Sequence, residues 1–284
     1  MEAAGFPSRP SASVLPSKPL PAFSDSQALS LMTFCARKAG GMCCLSDGKT
    51  LFERLILHEG TIPVVVAMVK SDAPDGDQCN FSDPLTGRER LAEGTTLFET
   101  ALGSKATLPI AGAMAEKGGI EPLGCSSTGI TYFEASLKAG AKDVALKLSM
   151  QPNFDALERC NDGRTMWELA LSSGSRDIAL IALATGKIPA TTLLSDGRTA
   201  FEHALRSGAK EVVYGAIAGQ QLKPLEPRLP PFDRTPFEIA LQYPSCDIAF
   251  VMAKFAGVDG LCVLADGSNC FQAAIKAGRQ EIAV

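Results

Sequence analysis

The 284-residue sequence lacks any apolar run long enough to cross a bilayer and any large excess of charge of one sign. Its longest apolar stretch covers residues 62 to 69, whereas a membrane-spanning helix needs about 20 such residues. Its 31 acidic side chains nearly balance its 27 basic ones, which leaves no positive field for capturing DNA or an anionic membrane. We therefore expect neither a membrane nor a nucleic acid as a partner.

Histidine is scarce, and the nine cysteines are irregularly spaced. An odd set of cysteines in a chain of this length does not predict a disulfide framework, so we expect free thiols in the cytoplasm. Neither His58 nor His203 is matched by a nucleophile or by cysteines at zinc spacing. The Gly48–Thr50 turn lacks the earlier glycine that a phosphate-binding loop requires, because Cys43 stands there. We expect no catalytic residue, metal, cofactor or small-molecule substrate.

The N-terminal residues are rich in serine and proline and follow no helical or strand period. Residues 1 to 25 contain five of each, which predicts a disordered leader. It lacks the apolar segment of a secretory signal. A leader for bacterial contact-dependent secretion into a host cell is the alternative. Residues 26 to 46 are predicted to form an N-terminal capping helix and loop.

A four-residue motif recurs seven times, with Thr or Asn first, usually an aromatic residue third, and Glu or Gln fourth. A glycine lies two residues before six of the seven motifs, and Asp233 replaces it once. The spacings between successive motifs are 46, 35, 34, 34, 36 and 34 residues. The first residues of the motifs are Thr50, Thr96, Thr131, Thr165, Thr199, Thr235 and Asn269.

Each motif predicts the start of a short helix. A Thr or Asn followed three residues later by Glu or Gln is a capping box, in which each side chain accepts a hydrogen bond from the other residue's backbone N–H. A glycine nine residues after the motif start, such as Gly174 or Gly208, suits the end of that helix. An acidic residue followed by apolar ones then predicts a second helix. The chain is therefore predicted to be all-α.

The segments 162–171 and 196–205, Asp-Gly-Arg-Thr-Met-Trp-Glu-Leu-Ala-Leu and Asp-Gly-Arg-Thr-Ala-Phe-Glu-His-Ala-Leu, resemble ankyrin repeats. They form a divergent subtype, with Thr-x-Phe-Glu in place of Thr-Pro-Leu-His. Tetratricopeptide repeats share the period, but their helices are longer and lack the glycine turn. The resemblance implies an ankyrin-like helical repeat solenoid of about seven units with short turn or hairpin connections. The array covers residues 47–284, its units start near residues 47, 93, 128, 162, 196, 233 and 266, and the last unit is incomplete.

Two segments depart from the regular period. The 46-residue spacing places about twelve extra residues in the first unit, and turn signals within residues 73–92 predict a projecting loop there. Residues 220–232 contain four prolines, which predict a stiff, extended connection.

The resemblance also implies a concave groove that binds a partner protein, lined by the turn tips and the exposed side of the first helices. Candidate residues lie just before each motif or seven to eight residues after its start. Arg and Tyr are the residue types enriched at binding hot spots. The alternative is a solvated face on which Asp162, Asp196 and Asp233 neutralise the arginines. The candidates are Lys138, Arg164, Arg198, Arg206, Arg234 and Tyr243.

We therefore expect a non-catalytic protein-interaction module or scaffold that acts in the cytoplasm. One alternative is the recruiting arm of a larger enzyme that continues after Val284. The other is a secreted bacterial effector that acts on host proteins.

Overall fold

The computed structural model describes residues 51–56, 59–70, 87–88, 90–91, 94–219, 221–225, 229, 233–243, 246–255 and 258–282. The predicted leader and capping helix lie outside these residues, as does most of the 73–92 loop and of the 220–232 connection. In the described part of the chain, no helix is both long and apolar enough to span a membrane.

The described α-helices follow one another in pairs, and α13 comes last without an α-helical partner. The first helix of each pair, here called the inner helix, starts just after the motif's Thr or Asn. The inner helices are α1 (Leu51–Ile56), α3 (Leu97–Leu102), α5 (Tyr132–Lys138), α7 (Met166–Ser172), α9 (Ala200–Arg206), α11 (Pro236–Gln242) and α13 (Cys270–Lys276). The outer helices are α2 (Ile62–Lys70), α4 (Leu108–Lys117), α6 (Lys142–Ser149), α8 (Arg176–Ala184), α10 (Lys210–Ala218) and α12 (Cys246–Phe255). Short 3₁₀ turns cover Glu59–Thr61 and Gln280–Ile282.

Consecutive units stack through like helices. The outer helices α2 to α12 contact one another in chain order, and the inner helices contact one another within the series α3–α5–α7 and α9–α11–α13. The aromatic third residue of the motif fills the space between the two layers. These side chains are at most 1% exposed from the second unit to the sixth: Phe98, Phe133, Trp167, Phe201 and Phe237.

In the described residues, a tight turn precedes each inner helix from α3 to α13, and its geometry explains the glycine of the repeat. The described motif glycines have φ between 77° and 85°, a left-handed conformation that costs other residues energy. Asp233, which replaces the glycine, has φ 50° and is the one non-glycine residue with positive φ in the described ranges. One backbone bridge closes each described turn: Arg90–Thr96, Cys125–Thr131, Arg159–Thr165, Leu193–Thr199, Leu229–Arg234 and Val263–Asn269.

The expected ankyrin-like all-α repeat fold is confirmed by these helix pairs and turns. The number of units remains a prediction, because the described ranges contain six α-helical pairs and then α13 with a 3₁₀ turn. In the last unit, the acidic-apolar pattern predicted a second helix, and the structure has the turn Gln280–Ile282 there.

The capping boxes are complete at some helices and half-formed at others. At α3, α7, α11 and α13 both reciprocal hydrogen bonds are present. At α5 and α9 the threonine accepts from the backbone, but the Glu carboxylate does not return to the cap. The expectation of a full box was wrong for these two helices. Glu134 pairs instead with Lys138, and Glu202 pairs with Arg198.

Where the box is complete with a glutamate, its carboxylate also contacts the next unit. One oxygen, Oε2, accepts from the N–H of its own cap, and Oε1 accepts from a group four residues before the next motif. A single buried or half-buried side chain therefore ties its own helix start to the following turn. The donors to Oε1 are the Ser127 N–H for Glu99 (2.9 Å), the Ser195 hydroxyl for Glu168 (2.5 Å) and the Ala265 N–H for Glu238 (3.3 Å).

Candidate protein-interaction surface

The candidate residues occupy two kinds of position on the inner-helix layer. Arg164, Arg198 and Arg234 precede the motif and lie at the turn, where each is half-buried. Lys138 and Arg206 are the last residues of α5 and α9, and both are exposed. We call these positions the tips and the helix ends; Tyr243, the C-cap of α11, belongs to the helix ends.

Arg164 is fixed by two partners of its own unit. Its Nε and Nη2 donate to Oδ2 of Asp162 at 2.9 and 2.6 Å, and its Nη1 donates to the Ser172 hydroxyl at 2.7 Å. The hydrogen bonds from Arg164 hold the pKa of Asp162 below its usual value. The guanidinium therefore bridges the turn to the end of α7, and its charge is largely neutralised.

Arg198 belongs to a network that reaches the next unit. Its Nη1 donates to Asp196 at 3.1 Å, and its Nε lies 3.2 Å from Oε1 of Glu202. The Tyr243 hydroxyl donates to the same Glu202 oxygen at 3.1 Å. Burial, and then the nearby Glu202 carboxylate, raise the pKa of Tyr243. This network links α9 to the end of α11.

The pKa of Asp196 is lowered within the same network. Burial opposes the charged form, but hydrogen bonds from Arg198 and the proximity of His203 outweigh it. The Arg198 and Asp196 charges thus compensate each other at the tip.

The remaining candidates differ in their contacts. Lys138 forms a 2.8 Å ion pair with Glu134, one turn earlier on α5. Arg234 exchanges backbone hydrogen bonds with Leu229 across its turn. Arg206 is exposed and has no ion pair within 4 Å among the described residues. Of the six candidates, Arg206 thus presents its charge to solvent with the least local compensation.

Glu168, Asp196 and His203 form a polar cluster that was not foreseen from the sequence. One potential ligand atom from each lies within 4.8 Å of the others. The Arg198 guanidinium already donates a hydrogen bond to the Asp196 carboxylate, and its positive charge opposes the binding of a cation there. The cluster connects α7 to the turn before α9, and the expected absence of a metal stays a prediction.

The structure brings Arg198 and Tyr243 to one carboxylate and ties Arg164 to Ser172. The acidic partner Glu202 was not predicted as part of this surface, whereas Ser172 lies at one of the predicted positions, seven residues after the start of its motif. The Asp-x-Arg spacing signalled the Arg164–Asp162 and Arg198–Asp196 pairs, but no local pattern indicates a contact between Glu202 and Tyr243.

No protein-family model matches this sequence, and no curated protein is significantly similar to it. Among solved structures, one similar chain belongs to the complex of the predatory endopeptidase Bd0816 from Bdellovibrio bacteriovorus with immunity protein Bd3460. It has 19% identity and a TM-score of 0.40 over 66% of this chain and 93% of that chain. The ankyrin repeat domain of Bcl-3, a member of the IkappaB protein family, has 16% identity and a TM-score of 0.44 over 65% and 82%. Both TM-scores lie below 0.5, so these two structures do not establish the fold of this chain. The fold is established by the helices and turns described above.

Proposed function

We propose that this chain is a non-catalytic protein-interaction module that binds a partner protein along the tips and helix ends of its inner layer. The observation that carries the proposal is Arg206, an exposed cation at the end of α9 without an ion pair among the described residues. It lies close enough to Tyr243 for its charge to influence that phenol. An arginine beside a tyrosine is a pair of residue types enriched at binding hot spots.

The ordered side chains at the tips support a role in binding a partner protein. Arg164 and Arg198 are each held by at least two hydrogen bonds or ion pairs. Side chains that are already ordered lose less conformational entropy when a partner binds. We infer that the tips supply shape and oriented donors, while Arg206 supplies the attraction for an acidic group of the partner.

We also propose that the Thr-x-Phe-Glu motif defines a divergent ankyrin subtype. The glutamate serves two acceptor roles, since Glu99 accepts from Thr96 N–H at 2.7 Å and from Ser127 N–H at 2.9 Å. This double contact gives a physical reason for a carboxylate at that position. The two alternative functions, an enzyme's recruiting arm and a secreted effector, stay predictions from the sequence, as does a cytoplasmic location.

The test has two stages. Pull-down with the full chain, followed by mass spectrometry, identifies the dominant partner, and titration calorimetry with that partner then compares variants. Arg206→Glu is expected to weaken binding at least tenfold, because a negative charge would replace the positive one that attracts an acidic group of the partner. Lys105→Glu is the matched control, since Lys105 is exposed in the loop between α3 and α4.

Binding of Arg206→Glu at wild-type affinity, with an unchanged circular dichroism spectrum, would contradict the proposed surface. Reversal at Arg198 is a poorer probe than reversal at Arg206. It would place a third negative charge beside Asp196 and Glu202 and destabilise the turn itself.

A further inference from the structure

Two cysteines lie opposite each other across the turn that precedes α13. The backbone bridge of this turn joins Val263 and Asn269, and Cys262 and Cys270 form the next pair away from the tip. The Cys270 N–H donates to the Cys262 carbonyl at 3.1 Å. A hydrogen-bonded pair in an antiparallel ladder has its Cα atoms about 5.5 Å apart. A disulfide requires a Cα separation of about 4.4–6.8 Å, so the backbone here suits one.

The side chains at these two positions of the repeat face each other. In the third unit the same positions hold Gly124 and Tyr132, and the Tyr132 N–H donates to the Gly124 carbonyl at 2.9 Å. A Cβ added at Gly124 would lie 3.2 Å from Cε2 of the Tyr132 ring. A side chain at the Cys262 position therefore starts toward the side chain at the Cys270 position.

Solvent reaches the Cys262 position within the array. The same backbone hydrogen bond joins Met166 to Glu158 in the fourth unit and Ala200 to Thr192 in the fifth. Glu158 is exposed and Thr192 is half-buried, although another unit follows each of them. The accessibility of Cys262 is thus a property of its place in the turn.

The two thiols differ in their surroundings. Both are free, and Cys262 is half-buried whereas Cys270 is buried. Burial, and then the charge of Cys262, raise the pKa of the Cys270 thiol to about 11. The thiolate is the attacking species in disulfide exchange, so Cys262 is the thiol that reacts first with an oxidant from solvent.

We propose that Cys262 and Cys270 form a site of reversible oxidation, with a small-molecule disulfide such as oxidised glutathione as the oxidant. The Cys262 thiolate attacks one sulfur of that disulfide and forms a mixed disulfide, and one glutathione leaves as its thiolate. Cys270 then gives its proton to solvent, and its sulfur attacks the Cys262 sulfur and displaces the second glutathione thiolate. Two cysteine thiols are oxidised to one disulfide, and one glutathione disulfide is reduced to two thiols.

The new bond would fix the start of α13 to the opposite side of its turn. Disulfides in the cytoplasm are usually transient and redox-sensing, so a reversible link of this kind is compatible with the free thiols expected from the sequence. The proposal is independent of the partner surface on the inner layer.

The first experiment locates the disulfide in the full chain. The protein is incubated with oxidised glutathione, its remaining thiols are alkylated, and it is digested with trypsin and with a protease that cleaves before aspartate. Trypsin releases residues 255–276 as one peptide, and cleavage before Asp259 and Asp266 separates the two cysteines. The expected product is residues 259–265 joined to residues 266–276, lighter by two hydrogen atoms than the separate peptides. Dithiothreitol should release the two peptides.

Cys125 provides the internal control in the same digest. It is exposed, and the residue across its bridge is Thr131. The concentration of oxidised glutathione is raised until Cys125 carries a glutathione, which shows that the oxidant is active. If Cys262 and Cys270 then remain reduced, or carry glutathione without being joined, the proposal is overturned.

The second experiment tests the order of attack with the residues that the fifth unit has at these positions. Cys262→Thr reproduces Thr192 and Cys270→Ala reproduces Ala200, so both variants are expected to keep the wild-type circular dichroism spectrum. Cys270→Ala should accumulate glutathione on Cys262, because no second thiol displaces it. Cys262→Thr should leave Cys270 reduced, because that thiol is buried. Glutathione on Cys270 in a folded Cys262→Thr variant, or none on Cys262 in Cys270→Ala, would overturn the assigned order.

Discussion

The Tyr243 hydroxyl donates to Oε1 of Glu202 across 41 residues of sequence, at 3.1 Å. In the units of Glu99, Glu168 and Glu238, the corresponding oxygen accepts from a group four residues before the next motif. The sequence has Pro231 at that position of the following unit, and proline has no backbone N–H to donate. Tyr243 thus supplies, from the end of α11, the donor that the proline-rich connection lacks.

Tyr243→Phe is expected to lower the free energy of unfolding by about 0.5–1.5 kcal/mol, the usual value of one hydrogen bond. The loss should fall toward the upper end, because the Glu202 carboxylate is buried. Urea denaturation measures the change. Tyr214→Phe removes the hydroxyl of another half-buried tyrosine, on α10, and should change the stability less. Equal effects of the two substitutions would count against the Glu202 contact.

Complete and half-formed capping boxes should differ in a double-mutant cycle. At α7, Thr165→Ala is expected to cost about 1 kcal/mol, and combination with Glu168→Ala should deviate from additivity because each bond orders the backbone group that the other uses. At α9, Thr199→Ala and Glu202→Ala should be additive within about 0.5 kcal/mol. Chemical denaturation of the variants in both cycles gives the two coupling energies. Equal coupling energies at α7 and α9 would contradict the difference between a complete and a half-formed box.

The glycine of the turn predicts a graded response to substitution. Gly197 has φ 77°, and a Cβ there would meet no atom within 4 Å, so Gly197→Ala tests the backbone alone. It is expected to cost about 1–2 kcal/mol. Gly197→Asn should cost less, because Asn tolerates the left-handed region better, as Asp233 does at the equivalent position.

Gly60→Ala serves as the control for these melts. A Cβ at Gly60 also meets open space, but the backbone there is not left-handed, so the stability should be unchanged or slightly higher. A loss at Gly60 as large as that at Gly197 would show that the turn conformation is not the cause.

Acid should weaken the tip of the fourth unit through Asp162. Its pKa is lowered in the folded state by hydrogen bonds from Arg164. Its contribution to stability is therefore present above the unfolded pKa of about 4 and is lost as the pH falls through the lower folded value. In urea denaturation between neutral pH and about pH 3, Asp162→Asn is expected to lose less stability than the wild type. A pH dependence identical to the wild type would argue against the Arg164–Asp162 pair.

Local patterns predicted much of the fold, because caps and turns are encoded within a few residues. Thr165, Glu168 and Gly174 mark the start and end of α7 correctly. Whether a box is complete or half-formed depends on cations such as Arg198, which compete with the cap N–H for the glutamate carboxylate. The packing of the units sets how close these cations come. Tyr243 and Glu202 belong to two units that are separated by a connection of irregular length. The repeat period therefore does not predict that these two side chains meet.

The candidate surface was predicted less completely than the fold. The repeat assigned Arg164 and Arg198 to the tips and Arg206 to a helix end, but a position in the repeat does not determine how far neighbouring groups compensate its charge. Ser172 orients Arg164 from the far end of its own helix, whereas Arg206 has no such neighbour in the described residues. Whether an arginine is bound by its neighbours or is available to a partner depends on side-chain contacts that the repeat pattern does not encode.

The chain contains a single tryptophan, Trp167, whose indole N–H donates to the Ala179 carbonyl at 3.1 Å and whose ring centre lies 6.0 Å from that of His203. Its position gives the molecule a built-in optical reporter at the junction between the fourth and fifth units. Solvent entry on unfolding would shift its emission to longer wavelength. Local opening of these two units can therefore be followed by fluorescence without any label, separately from the helix signal of the whole array.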